Sequence, residues 1–270
     1  VVDLHDNRID GVLPDFAVKM EQLRTLDIKD NDISGTLPPH FDSLVSLTTL
    51  DARKCRLSGT IPAEYASMTS TISLDLSDNR DLTGWLFDWS AMTHITSLKI
   101  HGAQISGTLP AGLENFGQIT ALDLGDNELS GTIPAQVASM VHLQSLDLSE
   151  NEFSGELPDG MLDDMPDIRD IYLHRNDLEG EIGEVLAGVQ DPEGVHDLSL
   201  HHNDFTGTIP SELALFTSLA ELDLSHNAFA GELDDNLQTM DRVTRLDFSH
   251  NALGGNIPAL TGMTSLRKVE

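Results

Sequence analysis

Disulfide chemistry is excluded at the outset, because the 270 residues include a single cysteine, Cys55, and no bridge can close within the chain. That fits a reducing compartment, and equally a secreted fold that needs no covalent staples. Aromatic residues are scarce, at 5%, so the core is expected to rest on Leu, Ile, Val and Ala. Bases are outnumbered, 15 Lys and Arg against 45 Asp and Glu, for a net charge of −30. Such a chain repels nucleic acid and anionic membrane surfaces. It suits cationic partners, or a saline medium that screens self-repulsion. No apolar run approaches the roughly 20 residues of a membrane span, so no direct membrane insertion is expected in this segment. No P-loop, zinc-ligand spacing, Rossmann glycine pattern or calcium-loop motif occurs in it either.

What is present is one phrase, many times. LDIKDNDISGTLP begins at Leu26, LDLSENEFSGELP at Leu146, LSLHHNDFTGTIP at Leu198 and LDLSHNAFAGEL at Leu222. Aligned on its Asn, the phrase recurs at Asn7, Asn31, Cys55, Asn79, Ala103, Asn127, Asn151, Asn176, Asn203, Asn227 and Asn251. Eight of the ten spacings are 24 residues, and the others are 25 and 27. A fixed period of this size means a solenoid, and one domain over 1–270 is expected. Apolar residues five and three before each Asn alternate as in a short strand. Strands of successive copies are expected to pair in parallel, roughly 4.8 Å apart. The Asn amide can bond backbone groups of the bend that follows. The next Gly opens backbone conformations closed to other residues, and the Ile-Pro or Leu-Pro stops regular helix. A short apolar segment such as VASMVHL, 137–143, then returns the chain outside.

These residues resemble the leucine-rich repeat family in its plant-type form. LQSLDLSENEFSGELP, 143–158, matches the pattern L-x-x-L-x-L-x-x-N-x-L-x-G-x-I-P almost letter for letter, and the likeness covers the whole chain. The resemblance implies an α/β fold, a right-handed horseshoe-like solenoid. It carries a parallel sheet on the concave side, short helical turns outside, and often a second short sheet near the Ile-Pro segment. The departures are Cys55, a swap this family tolerates, and Ala103, which leaves one rung of an Asn ladder empty. In one copy WLFDW replaces the Ile-Pro, and the 27-residue copy holds a turn-rich DPEGV, 191–195. Neither VVDLHDN nor SLRKVE carries the polar cap of a terminal repeat, so the segment is expected to belong to a longer chain.

Several residue sets invite chemistry, and each has a plainer reading beside it. Asp residues four before the Asn (Asp27, Asp51, Asp75, Asp123, Asp147, Asp223, Asp247 among them) form a ladder on the concave face. Ca2+ is the ion such carboxylates would take, but a repeat multiplies Asp without any site, and a structural or solvating role is favoured. His202, His226 and His250 precede the Asn in three consecutive copies, with His174 and His201 one residue earlier in theirs. They could bind metal or switch with pH; exposed by-products of the repeat are favoured, and no metal site is expected. Lys29, Arg53 and Lys99 belong to a basic minority in copies two to five, read as compensation for the ladder or as a ligand patch. Trp85 and Trp89 fill the place of an Ile-Pro or offer an aromatic contact. Thr36, Thr60, Thr108, Thr132 and Thr208 follow the repeat Gly in a row broken by Trp85, Glu156 and Glu181, a weak echo of ice-binding faces.

No catalytic residue and no cofactor is expected. The candidate ligand-facing residues are Lys29, Arg53, Lys99, Tyr172, His174 and His201, with Trp85 and Trp89 as aromatic contacts. The structural ladder is Asn31, Asn79, Asn127, Asn151, Asn176, Asn203, Asn227 and Asn251. The resemblance implies an extracellular or cell-surface module that binds a protein or peptide, with carbohydrate as another partner class. The rival is a structural, cation-bridged assembly unit, and ice binding is a third reading.

Overall fold

The computed structural model describes residues 1–15, 20–86 and 88–270. The chain divides into two compact units, Val1–Ser130 and Gly131–Glu270, described in turn. In the first, the inner strands are Val2–Asp3, Thr25–Asp27, Thr49–Asp51, Ser73–Asp75, Ser97–Lys99 and Ala121–Asp123. Each pairs in parallel with the next at the repeat offset, so that Leu26, Leu50, Leu74, Leu98 and Leu122 lie side by side. All five are buried, as are Ile28, Ala52, Leu76 and Ile100 two residues further on. Period-two alternation thus delivers both leucines of each copy to the core, as the sequence predicts.

A second parallel sheet follows the bend. Asp10–Val12, Asp32–Thr36, Arg56–Thr60, Asp81–Trp85 and Gln104–Gly107 are strands of it in the first unit. The outer side carries single 3-10 turns at Pro39–Ser43, Ala63–Ser67 and Ala111–Asn115. The repeat proline explains their position. Pro38, Pro62 and Pro110 each stand at the N-cap with φ between −61° and −70°, where proline's fixed φ is already suitable and its missing N–H costs nothing.

The second unit repeats the scheme. Its inner strands are Ser145–Asp147, Asp170–Tyr172, Asp197–Ser199, Glu221–Asp223, Arg245–Asp247 and Lys268–Val269, the last a rung beyond the eleven copies legible in the sequence. Outer turns at Ala135–Ser139, Ser211–Leu215 and Asp235–Thr239 are joined by one short α-helix, Gly183–Ala187. In the DPEGV insertion, Pro192–Gly194 forms a 3-10 turn, and the Asp191 side chain accepts from the Gly194 N–H at 3.2 Å.

Two left-handed backbone positions shape every copy. The residue before the Asn position has φ between 50° and 66° in all eleven, from Asp6 to His250, and Gly in only one, at 102. The repeat Gly, from Gly11 to Gly255, has φ between 75° and 104° in all eleven. A non-glycine residue in this region costs roughly 1–2 kcal/mol, and the Asn that follows offsets it. Asn79 is typical. Its Nδ2 donates to the carbonyls of Ala52 (3.0 Å), Leu76 (2.8 Å) and Ser77 (3.3 Å), while its Oδ1 accepts from the Leu57 N–H at 3.0 Å. The same pattern recurs at Asn31, Asn127, Asn176, Asn203, Asn227 and Asn251. At Cys55 the thiol donates to the Ile28 carbonyl at 3.4 Å. Where Ala103 leaves the rung empty, the Leu82 N–H turns to the Asn79 carbonyl instead, at 2.9 Å.

One expectation about the core needs correction. Its bulk is aliphatic, but Phe41, Tyr65, Phe153, Phe205, Phe216 and Phe229 rank among the largest fully buried side chains. The few aromatics are concentrated inside rather than absent from the core, because each ring fills a slot that a Leu fills in other copies.

Candidate functional site

The inner strands put alternate side chains of each copy on the open face, with the residue between the two core leucines at the centre. The Asp residues there are not free rungs. Each Oδ1 accepts the backbone N–H two residues on, as in Asp75 to Ser77 (3.0 Å) and Asp223 to Ser225 (3.0 Å). In the second unit Ser149, Ser225 and Ser249 add their hydroxyls at 2.6 Å. Asp75 and Asp247 are buried and most of the others half-buried. The ladder is therefore a set of turn-holding acceptors. This was not legible because the spacing gives no sign of which way the carboxylate turns.

Four basic residues lie along that ladder. Lys29 Nζ lies 2.9 Å from Asp27 and 3.4 Å from Asp51, and its hydrogen bond to Asp27 leads in raising its pKa. Arg53 spans Asp51 and Asp75 at 3.8 and 3.5 Å. Lys99 sits in register between Asp75 and Asp123. Arg245 holds Asp223 at 3.3 Å and Asp247 at 2.7 Å. Burial comes first among the causes at Asp51, and pushes its carboxyl up despite Arg53. The donor cluster of Asp3, His5 and Asp27 at the first rung shares Asp27 with Lys29, whose ammonium supplies the positive charge.

Two depressions gather the sequence candidates. In the first unit, Arg53 and Lys99 meet Asp75, His101 and Asp123 around about 210 Å3, with His101 Nδ1 at 3.3 Å from Asp123. In the second, Tyr172 and His201 meet Asp197, Glu221, Asp223 and Arg245 around about 220 Å3. Burial, then Asp197, pushes the Tyr172 phenol up, so it stays a neutral hydroxyl. Lys29 lies outside both, and His174 stacks on His201 with centroids 4.6 Å apart. Arg245, Asp197 and Glu221 were missed. Their strand positions were legible, but their convergence on Tyr172 was not.

The tryptophans separate. Trp85 is 73% exposed and Trp89 only 3%. Trp89 as an aromatic contact is therefore corrected: it lies 24 residues beyond Tyr65 and 48 beyond Phe41, in the same buried outer slot. Trp85 stands where Thr36 and Thr60 stand, one after the repeat Gly, and lines with them a groove of about 540 Å3 beside Ile61 and Pro62. Phe87, between the two tryptophans, lies outside the described residues.

Three imidazoles of the second unit shift together. Burial, ahead of every other cause, holds His174, His201 and His202 below the usual histidine range. A group whose folded pKa is depressed gives stability that is complete above its unfolded pKa, near 6.5, and lost as pH falls through the folded value. Acidification from about pH 7.5 to 5.5 should therefore lower the melting temperature. His201→Gln should flatten that slope, as read by thermal melts across the range.

The leucine-rich repeat family models match residues 1–57 and 117–178, and 194–216 and 218–240. The chain belongs to the leucine-rich repeat family. No curated protein sequence matches it. Among solved structures it is similar to a plant peptide hormone receptor, RGFR1, in complex with RGF2. There the identity is 26% and the TM-score 0.85, over 98% of this chain and 46% of that one. A TDR receptor gives 25% and 0.88, over 96% and 44%. A plant ice-binding protein gives 25% and 0.60, over 90% and 79%. The chain spans less than half the length of the two receptor chains. Among its described residues no helix is long and apolar enough to cross a membrane.

Proposed function

We propose that the chain is a recognition module of an extracellular or cell-surface protein, and that it binds a peptide or protein segment along its inner strands. The observation that carries this is the second unit's depression, where Tyr172 and His201 stand among Asp197, Glu221 and Asp223, three carboxylates against the one guanidinium of Arg245. An acid-rimmed phenol ring in a chain of net charge −30 suits a cationic side chain, through charge and through the ring face. The likeness to peptide-hormone and TDR receptors supports the reading. A Lys- and Arg-bearing peptide titrated by calorimetry should bind, and should weaken several-fold as salt rises from about 50 to 500 mM. Tyr172→Ala should weaken it further. Equal binding of an acidic peptide, or indifference to salt, would reject the reading.

Ice binding is kept as a second reading by two observations: the likeness to the ice-binding protein and exposed Thr36 and Thr60 on the second sheet of the first unit, with exposed Thr108 just past the end of its strand. Thermal hysteresis in a dilute solution of the chain would favour it. The cation-bridged assembly unit would declare itself as growth in size on adding Ca2+.

A further inference from the structure

Five imidazoles touch in sequence across the second unit. His174 stacks on His201 at 4.6 Å between centroids, and His201 meets His202 edge-on at 5.1 Å. His202 stacks on His226 at 4.0 Å, and His226 on His250 at 4.0 Å. The row follows from the repeat. His174 and His201 hold the position two before the Asn, and His202, His226 and His250 the left-handed position one before it, with φ of 54° or 55°. Only one copy carries His at both positions, and there the two rings converge. His201 Nδ1 lies 2.9 Å from His202 Nδ1.

That separation has a chemical meaning beyond a hydrogen bond. Imidazole nitrogens bind first-row divalent metals at roughly 2.0–2.1 Å, and two such bonds at a right angle set the nitrogens about 2.9 Å apart. In the metal-free chain one ring donates the Nδ1 proton and the other accepts it. On metal binding the donor ring's proton moves from Nδ1 to its own Nε2, so both rings stay neutral and both Nδ1 lone pairs are offered to the ion. Neutral rings are the ligand form, and burial favours neutrality at both positions. The stacks on either side fix ring orientation, the service that neighbouring groups render to metal-bound histidine elsewhere. Glu150, 4.0 Å from His174 Nε2, is itself engaged by Arg175 at 3.8 Å, and Asp223, which lines the same depression as His201, by Arg245 at 3.3 Å. Two nitrogen donors with the remaining positions open to water suit copper(II) most, then nickel(II) and zinc(II). Calcium, which asks for six to eight oxygens, is excluded. The acidity of the whole chain raises the local concentration of any cation.

We propose that His201 and His202 together bind one divalent transition-metal ion, copper(II) most tightly, with His174 and the His226–His250 stack as positioning residues. The test uses the full chain and copper(II) chloride alone, with binding followed by equilibrium dialysis and electron paramagnetic resonance. The expected result is one saturable ion per chain with hyperfine coupling to two nitrogens. His201→Ala and His202→Ala should each weaken it at least tenfold, while His226→Ala should weaken it less. Calcium chloride should not compete. Copper retained undiminished in the His201→Ala/His202→Ala double variant would overturn the proposal, because the ion would then sit at other groups. So would a signal without nitrogen coupling, or no saturable binding. Should the variants unfold, the wild-type chain still decides: substoichiometric copper must broaden the His201 and His202 ring proton resonances before those of His94, His142 and His196.

Discussion

Asn79→Ala should cost the fold about 3–5 kcal/mol, the largest effect of any single amide in the first unit. Asn79 is fully buried, and its one side chain satisfies the Leu57 N–H and three carbonyls. Each buried backbone group left without a partner costs roughly 1–3 kcal/mol, and alanine is too short to admit a replacement. The chain contains its own comparison. At Ala103 the rung is already missing, and the Leu82 N–H has turned to the Asn79 carbonyl at 2.9 Å. Ala103→Asn should therefore gain less than about 1 kcal/mol, because its main acceptor role has been filled. Asn79→Cys should be milder than Asn79→Ala, since Cys55 bonds one carbonyl in the same position. Urea denaturation of the three variants orders them. Asn79→Ala no worse than Asn79→Cys would mean that the amide is not what holds the bend.

Phe205→Ala should be of similar size, about 3–5 kcal/mol, for a different reason. Phe205 is fully buried and stacks on Phe229 with centroids 6.4 Å apart. Removing the ring forfeits its burial and leaves a cavity that the neighbouring parallel strand Asp177–Gly180 cannot close. Phe205→Leu should recover most of the loss, because other copies use Leu57, Leu82 and Leu178 in that slot and near-volume swaps cost under about 1.5 kcal/mol. Trp85→Ala, on an exposed ring, should stay within about 0.5 kcal/mol of the parent. If Trp85→Ala and Phe205→Ala cost the same, the assignment of ring burial is wrong.

The frame was legible in the sequence because it is periodic. A 24-residue spacing fixes which leucines pair, since a one-residue slip would turn every side chain to the other face. The Asn and Gly announce the bend, and the Pro announces the outer turn. The same register puts Trp89 in the buried series Phe41, Tyr65, Trp89, Leu113. What periodicity does not encode is side-chain direction. It gave no warning that the ladder Asp residues turn back onto their own N–H groups, or that ten non-glycine residues before the Asn position are left-handed. Nor did it show Arg245 and Glu221 converging on Tyr172, or the rings of His201 and His202 facing each other. The exposed positions are where copies differ, and differences carry no period.

The central claim is that the fold lies in the repeated Asn, Gly and core leucines, and recognition in the few side chains on the inner face. A double variant of Tyr172→Ser and His201→Asn tests it most directly, with melting temperature and binding of the cationic peptide measured on the same sample. The account predicts a melting temperature within about 5 °C of the parent and binding weakened at least tenfold, as expected when an aromatic anchor is lost. Unfolding of the variant would show that the face is part of the frame. Binding undiminished on an intact fold would place recognition elsewhere on the chain.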